Sequence, residues 1–99
     1  MSKVTIKLAP RDVMCNVFFG DRAVETVRDA LPRYTNAGTF EFEQEGQDAA
    51  EEAFDLTNNP SRDEERAAIY GRGRSVSSGD VIDVDGTNYL CMSIGWRIL

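Results

Sequence analysis

The dipeptide Asp85-Gly86 constrains this chain more than any other feature. It lies between two apolar runs, "DVIDV" and "TNYLCM", and a two-residue type I′ turn needs positive φ at both central positions. Asp-Gly meets that need, so the spacing predicts a hairpin whose register follows from the loop length. Val84 then faces Thr87, Asp83 faces Asn88, Ile82 faces Tyr89 and Val81 faces Leu90. One face of the hairpin carries Ile82, Val84, Tyr89 and Cys91, and the other carries Val81, Leu90 and Met92. Both faces are apolar, which predicts a hairpin that is central in a sheet or covered on both sides.

Other elements follow from periodicity. Lys3 to Leu8 alternate strictly, with Val4, Ile6 and Leu8 on one side, as in a half-buried strand. "APRD" reads as a turn, and "VMCNVFF" (Val13 to Phe19) reads as a second strand that pairs with the first. Asp21 is placed to cap a following helix whose stripe is Ala23, Val24, Val27, Ala30 and Leu31. Pro32 marks its end. "YTNAG" reads as a turn, and Phe40 and Phe42 alternate with Thr39, Glu41 and Glu43 in a third strand. A helix follows with Ala49, Ala50, Ala53, Phe54 and Leu56 on its buried side. Asn59-Pro60 breaks it, and Ser61 with Glu64 reads as the capping box of the next helix. After the hairpin, Ser93 to Gly95 turn the chain into a short final strand, "WRIL". The expected order is β-β-α-β-α-α-β-β-β, an α+β single domain over residues 1–99 with a mostly antiparallel sheet.

The 99 residues include no histidine. That removes the usual general base and the commonest metal ligand, so the reading is of a protein that is not an enzyme and holds no cofactor or metal. Cys15 and Cys91 sit in apolar stretches without ligand-like spacing and read as buried free thiols. No run reaches the roughly 18 apolar residues of a membrane span, so the expectation is a cytoplasmic protein without a membrane partner. Asp80, Asp83 and Asp85 superficially resemble part of a calcium loop, but its later ligand positions are missing. Turn chemistry at Asp85, capping at Asp80 and solvent exposure at Asp83 explain them. A hydrolase or transferase built on Asp80 is the least supported reading.

Charge is unevenly spread. Residues 41–65 hold ten acids against the single base Arg62, a local sum of −9, while the remainder sums to +3. Such a belt, with Glu51, Glu52 and Asp55 on one exposed helix side, suits either a solvated surface or mimicry of nucleic acid towards a basic partner. The run "YGRGRSVSSGDVI" (70–82) lacks the spacing of a phosphate-binding loop. Its glycines end a helix, and its arginines either pair with acids such as Asp63 or Glu64 or join Arg66 and Arg97 in a small basic patch. That patch (Arg66, Arg72, Arg74, Arg97) is the alternative reading, a nucleic-acid-binding module. Trp96 beside Arg97 closes the core or contributes to a protein interface.

"GRSVSSGDVIDVDG" followed by "YLCMSIGW" resembles the RSxSxGDVI segment ending in Gly-Trp of small phage, prophage and plasmid proteins, of which the YodL-like domains are the nearest named relatives. "EEAFDLTNNPSRDEER" is similar to the segment preceding that motif, and Ser78 stands where the family commonly has an apolar residue. The resemblance covers Glu52 to Trp96 and implies an accessory protein of a mobile element that binds a host macromolecule, a host protein foremost. Arg72, Arg74, Trp96, Arg97, Glu51, Glu52 and Asp55 are the candidate partner-binding residues.

Overall fold

The computed structural model describes residues 1–16, 22–71 and 73–99, with the backbone alone for residues 14–16. Five strands form one antiparallel sheet: β1 (Ser2–Leu8), β2 (Thr35–Phe42), β3 (Val81–Val84), β4 (Thr87–Cys91) and β5 (Trp96–Ile98). Their spatial order is β2-β1-β3-β4-β5. The helices are α1 (Arg11–Asn16), α2 (Ala23–Ala30), α3 (Gly46–Asn58) and α4 (Asp63–Ile69). The α+β class read from the sequence is the class observed.

The sheet separates two apolar clusters. Val4, Ile6, Phe42, Ile82, Val84, Tyr89 and Cys91 point to the side covered by α3, whose Ala49, Ala50, Ala53 and Leu56 are fully buried. Three alanines on one helical stripe let the helix axis come close to the sheet, and Leu56 fills the space beyond them. On the opposite side Val81 and Leu90 pack with Val13 of α1, with Ala23, Val27 and Ala30 of α2, and with Tyr34. The hairpin pairs as its turn dictates, Val84 with Thr87 through Val81 with Leu90. Asp85 and Gly86 both have positive φ, 51° and 92°.

Two readings are corrected in the N-terminal third. Residues 13–16 of the expected second strand lie in α1, and residues 17–19 fall outside the described residues, as does Asp21. Both edges of β1 are taken, by β2 and β3, so no position beside it remains for a hairpin partner. Pro10 and Asp12 are helix-start residues: proline suits the first turn, where its missing N–H costs nothing, and an acid there meets the positive end of the helix dipole. Thr35 to Gly38 of "YTNAG" form the first half of β2. Ile6 pairs with Gly38 and Lys7 with Asn36, so Ala37 is the extra residue of a bulge. A Cβ at position 38 would come within 2.7 Å of the Phe40 ring, so glycine lets that ring fold back along the strand.

At the break between α3 and α4, Asn59 does the capping expected of Ser61. Its side chain accepts from the Ser61 N–H at 3.0 Å, and a single 3-10 turn, Pro60–Arg62, joins the helices. Phe54, assigned to the core by periodicity, is 38% exposed.

Candidate functional site

The glycine- and arginine-rich run is organised around one carboxylate. Asp80 is fully buried. Arg74 donates to it through both terminal nitrogens, Nη1 to Oδ2 at 2.6 Å and Nη2 to Oδ1 at 2.7 Å. The amide of Ala9 adds a bond to Oδ1 at 2.7 Å and that of Ser77 one to Oδ2 at 2.8 Å. Arg74 also reaches the Ala9 carbonyl at 3.2 Å. Asp80 thereby ties the end of β1 to the start of β3, a role well beyond the capping expected of it. Both its oxygens are engaged, which removes support for Asp80 as a general base.

The surrounding residues extend the same lattice. Gly79, at φ 98°, receives the Tyr34 hydroxyl on its carbonyl at 2.6 Å and donates to the Cys91 carbonyl at 2.8 Å. The Tyr70 hydroxyl donates to the Arg74 carbonyl at 2.8 Å. Ser75 Oγ donates to the Thr57 carbonyl at 2.6 Å, and Thr57 Oγ1 accepts from the Val76 amide at 3.0 Å, which fastens the run to the end of α3. Burial raises the Tyr34 hydroxyl pKa, and the bond to Asp80 raises that of Arg74. A bidentate pair with a buried carboxylate and further backbone donors is the geometry in which an ion pair specifies a conformation.

The arginines read as a basic patch are therefore placed unequally. Arg74 is held by Asp80, not by Asp63 or Glu64. Arg66 donates to the carbonyls of Gly71 and Gly73, and its guanidinium lies 5.3 Å from the centre of the Tyr70 ring. Arg72 lies outside the described residues. Arg97 is exposed on β5, opposite Leu90, and so projects to the α2 side of the sheet, whereas Trp96, opposite Cys91, projects to the α3 side. Adjacent in sequence, Trp96 and Arg97 do not share a surface.

The acidic belt gathers about its single base. Arg62 contacts Glu52, Asp55 at 2.9 Å and Glu65 at 2.8 Å, and Gln44 donates to the other oxygen of Glu52 at 2.7 Å. Its bonds to Glu65, Asp55 and Glu52 raise the Arg62 pKa, and the Arg62 bond lowers that of Glu65. Glu51 turns elsewhere. Its Oε1 accepts from the Trp96 indole N–H at 2.9 Å. Phe54 meets the Trp96 ring edge to face, with centroids 6.3 Å apart and planes at 89°. A hollow of about 210 Å³ lies beside these rings, floored by Cys91, Met92 and Gly95. Ile94, at the tip of the turn before β5, is 94% exposed, and Ile98 is 62% exposed.

Cys91 is a buried free thiol, its pKa pushed up to about 12 by burial. The side chain of Cys15 is outside the described residues. Asp83 accepts from the Gly86 amide at 2.7 Å, and Asp85 from the Lys3 amide at 2.9 Å, so both serve the turn and its neighbour strand. Among the described residues no group of three or more His, Cys, Asp or Glu is arranged to hold a metal ion, and no helix is long and apolar enough to cross a membrane. Ile94 and the exposed half of Phe54 were not singled out in the sequence. The available signal for Ile94 was an isoleucine inside a Ser-x-Gly turn, where no neighbouring layer can cover it.

The fold class is a five-stranded antiparallel sheet with helices on both faces. Compared with family models, with curated proteins and with solved structures, the chain matches none.

Proposed function

We propose that this chain acts by binding another protein through the surface formed by Phe54, Trp96 and Ile94, as an accessory of a phage or plasmid at work in the cytoplasm of its bacterial host. The observation that carries the binding reading is the edge-to-face pair of Phe54 and Trp96 at the surface, with an isoleucine two residues before Trp96 that is 94% exposed. Exposed apolar side chains are candidates for interaction sites, and tryptophan is among the residues that dominate interface energetics. Glu51 holds the indole N–H, so the ring is fixed before any partner arrives and little side-chain entropy remains to be lost on association. The mobile-element setting rests on the resemblance of the C-terminal half. The nucleic-acid alternative has less support, because Arg66 and Arg74 are engaged by their own loop and Arg97 alone of the described patch is free of it.

The test is capture from bacterial lysate at several salt concentrations, with a charge-matched protein as control. The parent is expected to retain a partner that Ile94→Asp loses, since a fully exposed position accepts a charge without cost to the fold. Capture of nothing above the control, or equal capture by the variant, removes this reading.

A further inference from the structure

The two ends of the sheet differ. β5 is an edge of three residues, too short to template another strand, whereas β2 is an edge of eight. The Asp85 amide donates to the Lys3 carbonyl at 2.9 Å, so the polar groups of Lys3 face β3. Alternation along an antiparallel ladder then directs those of Val4 to its partner Phe40 and leaves the amides and carbonyls of Thr39 and Glu41 pointing out of the sheet. A groove of about 670 Å³ runs between this edge and α4. Phe40, Phe42 and the exposed Met1 line it on the sheet side, and Ile69 with the charged Glu52, Arg62 and Glu65 line the helical side. Glu41 and Glu43, both exposed, border the groove as well, Glu41 alternating with Phe40 and Phe42 along the strand and Glu43 following it.

We infer that the β2 edge receives an extended segment of a partner protein in which apolar and basic residues alternate, added as a sixth strand. Strand addition draws affinity from backbone hydrogen bonds and specificity from alternate side chains. Every second residue of such a segment enters the groove over Phe40 and Ile69, and the residues between them meet Glu41 and Glu43. An apolar-only strand would leave those carboxylates unmatched, and an acidic one would be repelled. Native proteins guard long edges with charge. Here the guard is acidic, so it excludes a second copy of a chain whose net charge is −6 while admitting a basic strand. The site lies at the opposite end of the sheet from Trp96 and does not depend on the Phe54–Trp96 surface.

The probe is a capped octapeptide of alternating valine and lysine, titrated against the full chain by NMR. Two controls accompany it, the valine–glutamate analogue and a block peptide of the same composition as the probe. The alternating basic peptide is expected to shift the amides from Thr39 to Glu43 and to slow hydrogen exchange at Thr39 and Glu41. The glutamate analogue should not bind, and the block peptide should bind several-fold more weakly. Thr39→Pro deletes an outward donor and the side-chain bond to Thr5 at 3.1 Å but no backbone bond to β1, and proline is tolerated at such edge positions. It should weaken binding about five- to tenfold, the worth of one net hydrogen bond, with the melting temperature near the parent's. Glu41→Lys should transfer preference to the glutamate peptide, and Ile94→Asp should change nothing. Absence of shifts at β2, equal binding of the block peptide, undiminished binding by Thr39→Pro, or sedimentation showing two chains joined through β2 would overturn the inference.

Discussion

Two arginine–carboxylate clusters differ in the burial of their carboxylates: Asp80 is fully buried, Glu52 is partly buried, and Asp55 and Glu65 are about half exposed. At the first, one buried carboxylate, Asp80, receives Arg74 and two backbone amides, and the chain around it is ordered by those bonds. At the second, one arginine, Arg62, is shared by three carboxylates that retain access to water. The chemistry is the same and the consequence is not. Where water is excluded, a carboxylate that loses its donors cannot be resolvated, so each partner is obligatory. Where water is present, each acid has an alternative partner, and an exposed pair contributes little. An arginine beside acids in a sequence therefore says nothing of its role until its burial is known.

Removal of either partner at the buried cluster gives the largest expected effect. Arg74→Met leaves Asp80 with two amides and no counter-charge, and Asp80→Ala orphans the Ala9 and Ser77 amides. Each is expected to cost about 3–5 kcal/mol in urea unfolding, the range for a broken buried pair. The double replacement should recover part of that loss, because it removes the uncompensated charge as well. A cost below about 1 kcal/mol for Arg74→Met would place this pair with exposed ones and dissolve the contrast.

What was legible in the sequence follows the same division between local and distant causes. The Asp85-Gly86 hairpin, its register and its two faces were readable because turn geometry fixes them within a few residues. The stripe of α2 and that of α3, apart from Phe54, were readable from period alone. Residues 13–16 were misread because nothing near them tells that both edges of β1 are taken, by β2 and by a strand from the far end of the chain. Asp80 was under-read for the same reason: its Ala9 donor lies 71 residues away. Thr39 and Glu41 have nothing in their local pattern that says their strand is an edge.

The Arg62 cluster should show itself chiefly in acid. Arg62 lowers the pKa of Glu65, so that pair stabilises the fold above the ordinary glutamate range and is lost as pH falls through the lowered native value. Arg62→Ala is expected to cost about 1 kcal/mol or less at neutral pH. It should also flatten the decline in melting temperature below the ordinary glutamate range, since the cause of the lowered Glu65 pKa is then gone. An unchanged acid limb would mean that water already screens the cluster completely.

The smallest effect reads the buried carboxylate through Cys91. Burial is the main cause of its raised pKa, and the negative charge of Asp80 is the next. In a Cys15→Ser background, Cys91 should react with a thiol reagent at mildly alkaline pH only as fast as the chain opens. Asp80→Asn removes the charge and keeps the shape, so it should lower the thiol pKa modestly while burial continues to hold it up. The variant is also less stable, and opening alone would speed the reaction. Tyr34→Phe, which loses the hydroxyl bond to the Gly79 carbonyl but no charge, separates the two causes. With both variants brought to equal stability by added urea, a remaining excess of reactivity in Asp80→Asn reports the field of the buried carboxylate. Equal rates would mean that the carboxylate is neutralised by Arg74 as seen from Cys91, and that burial alone sets the thiol.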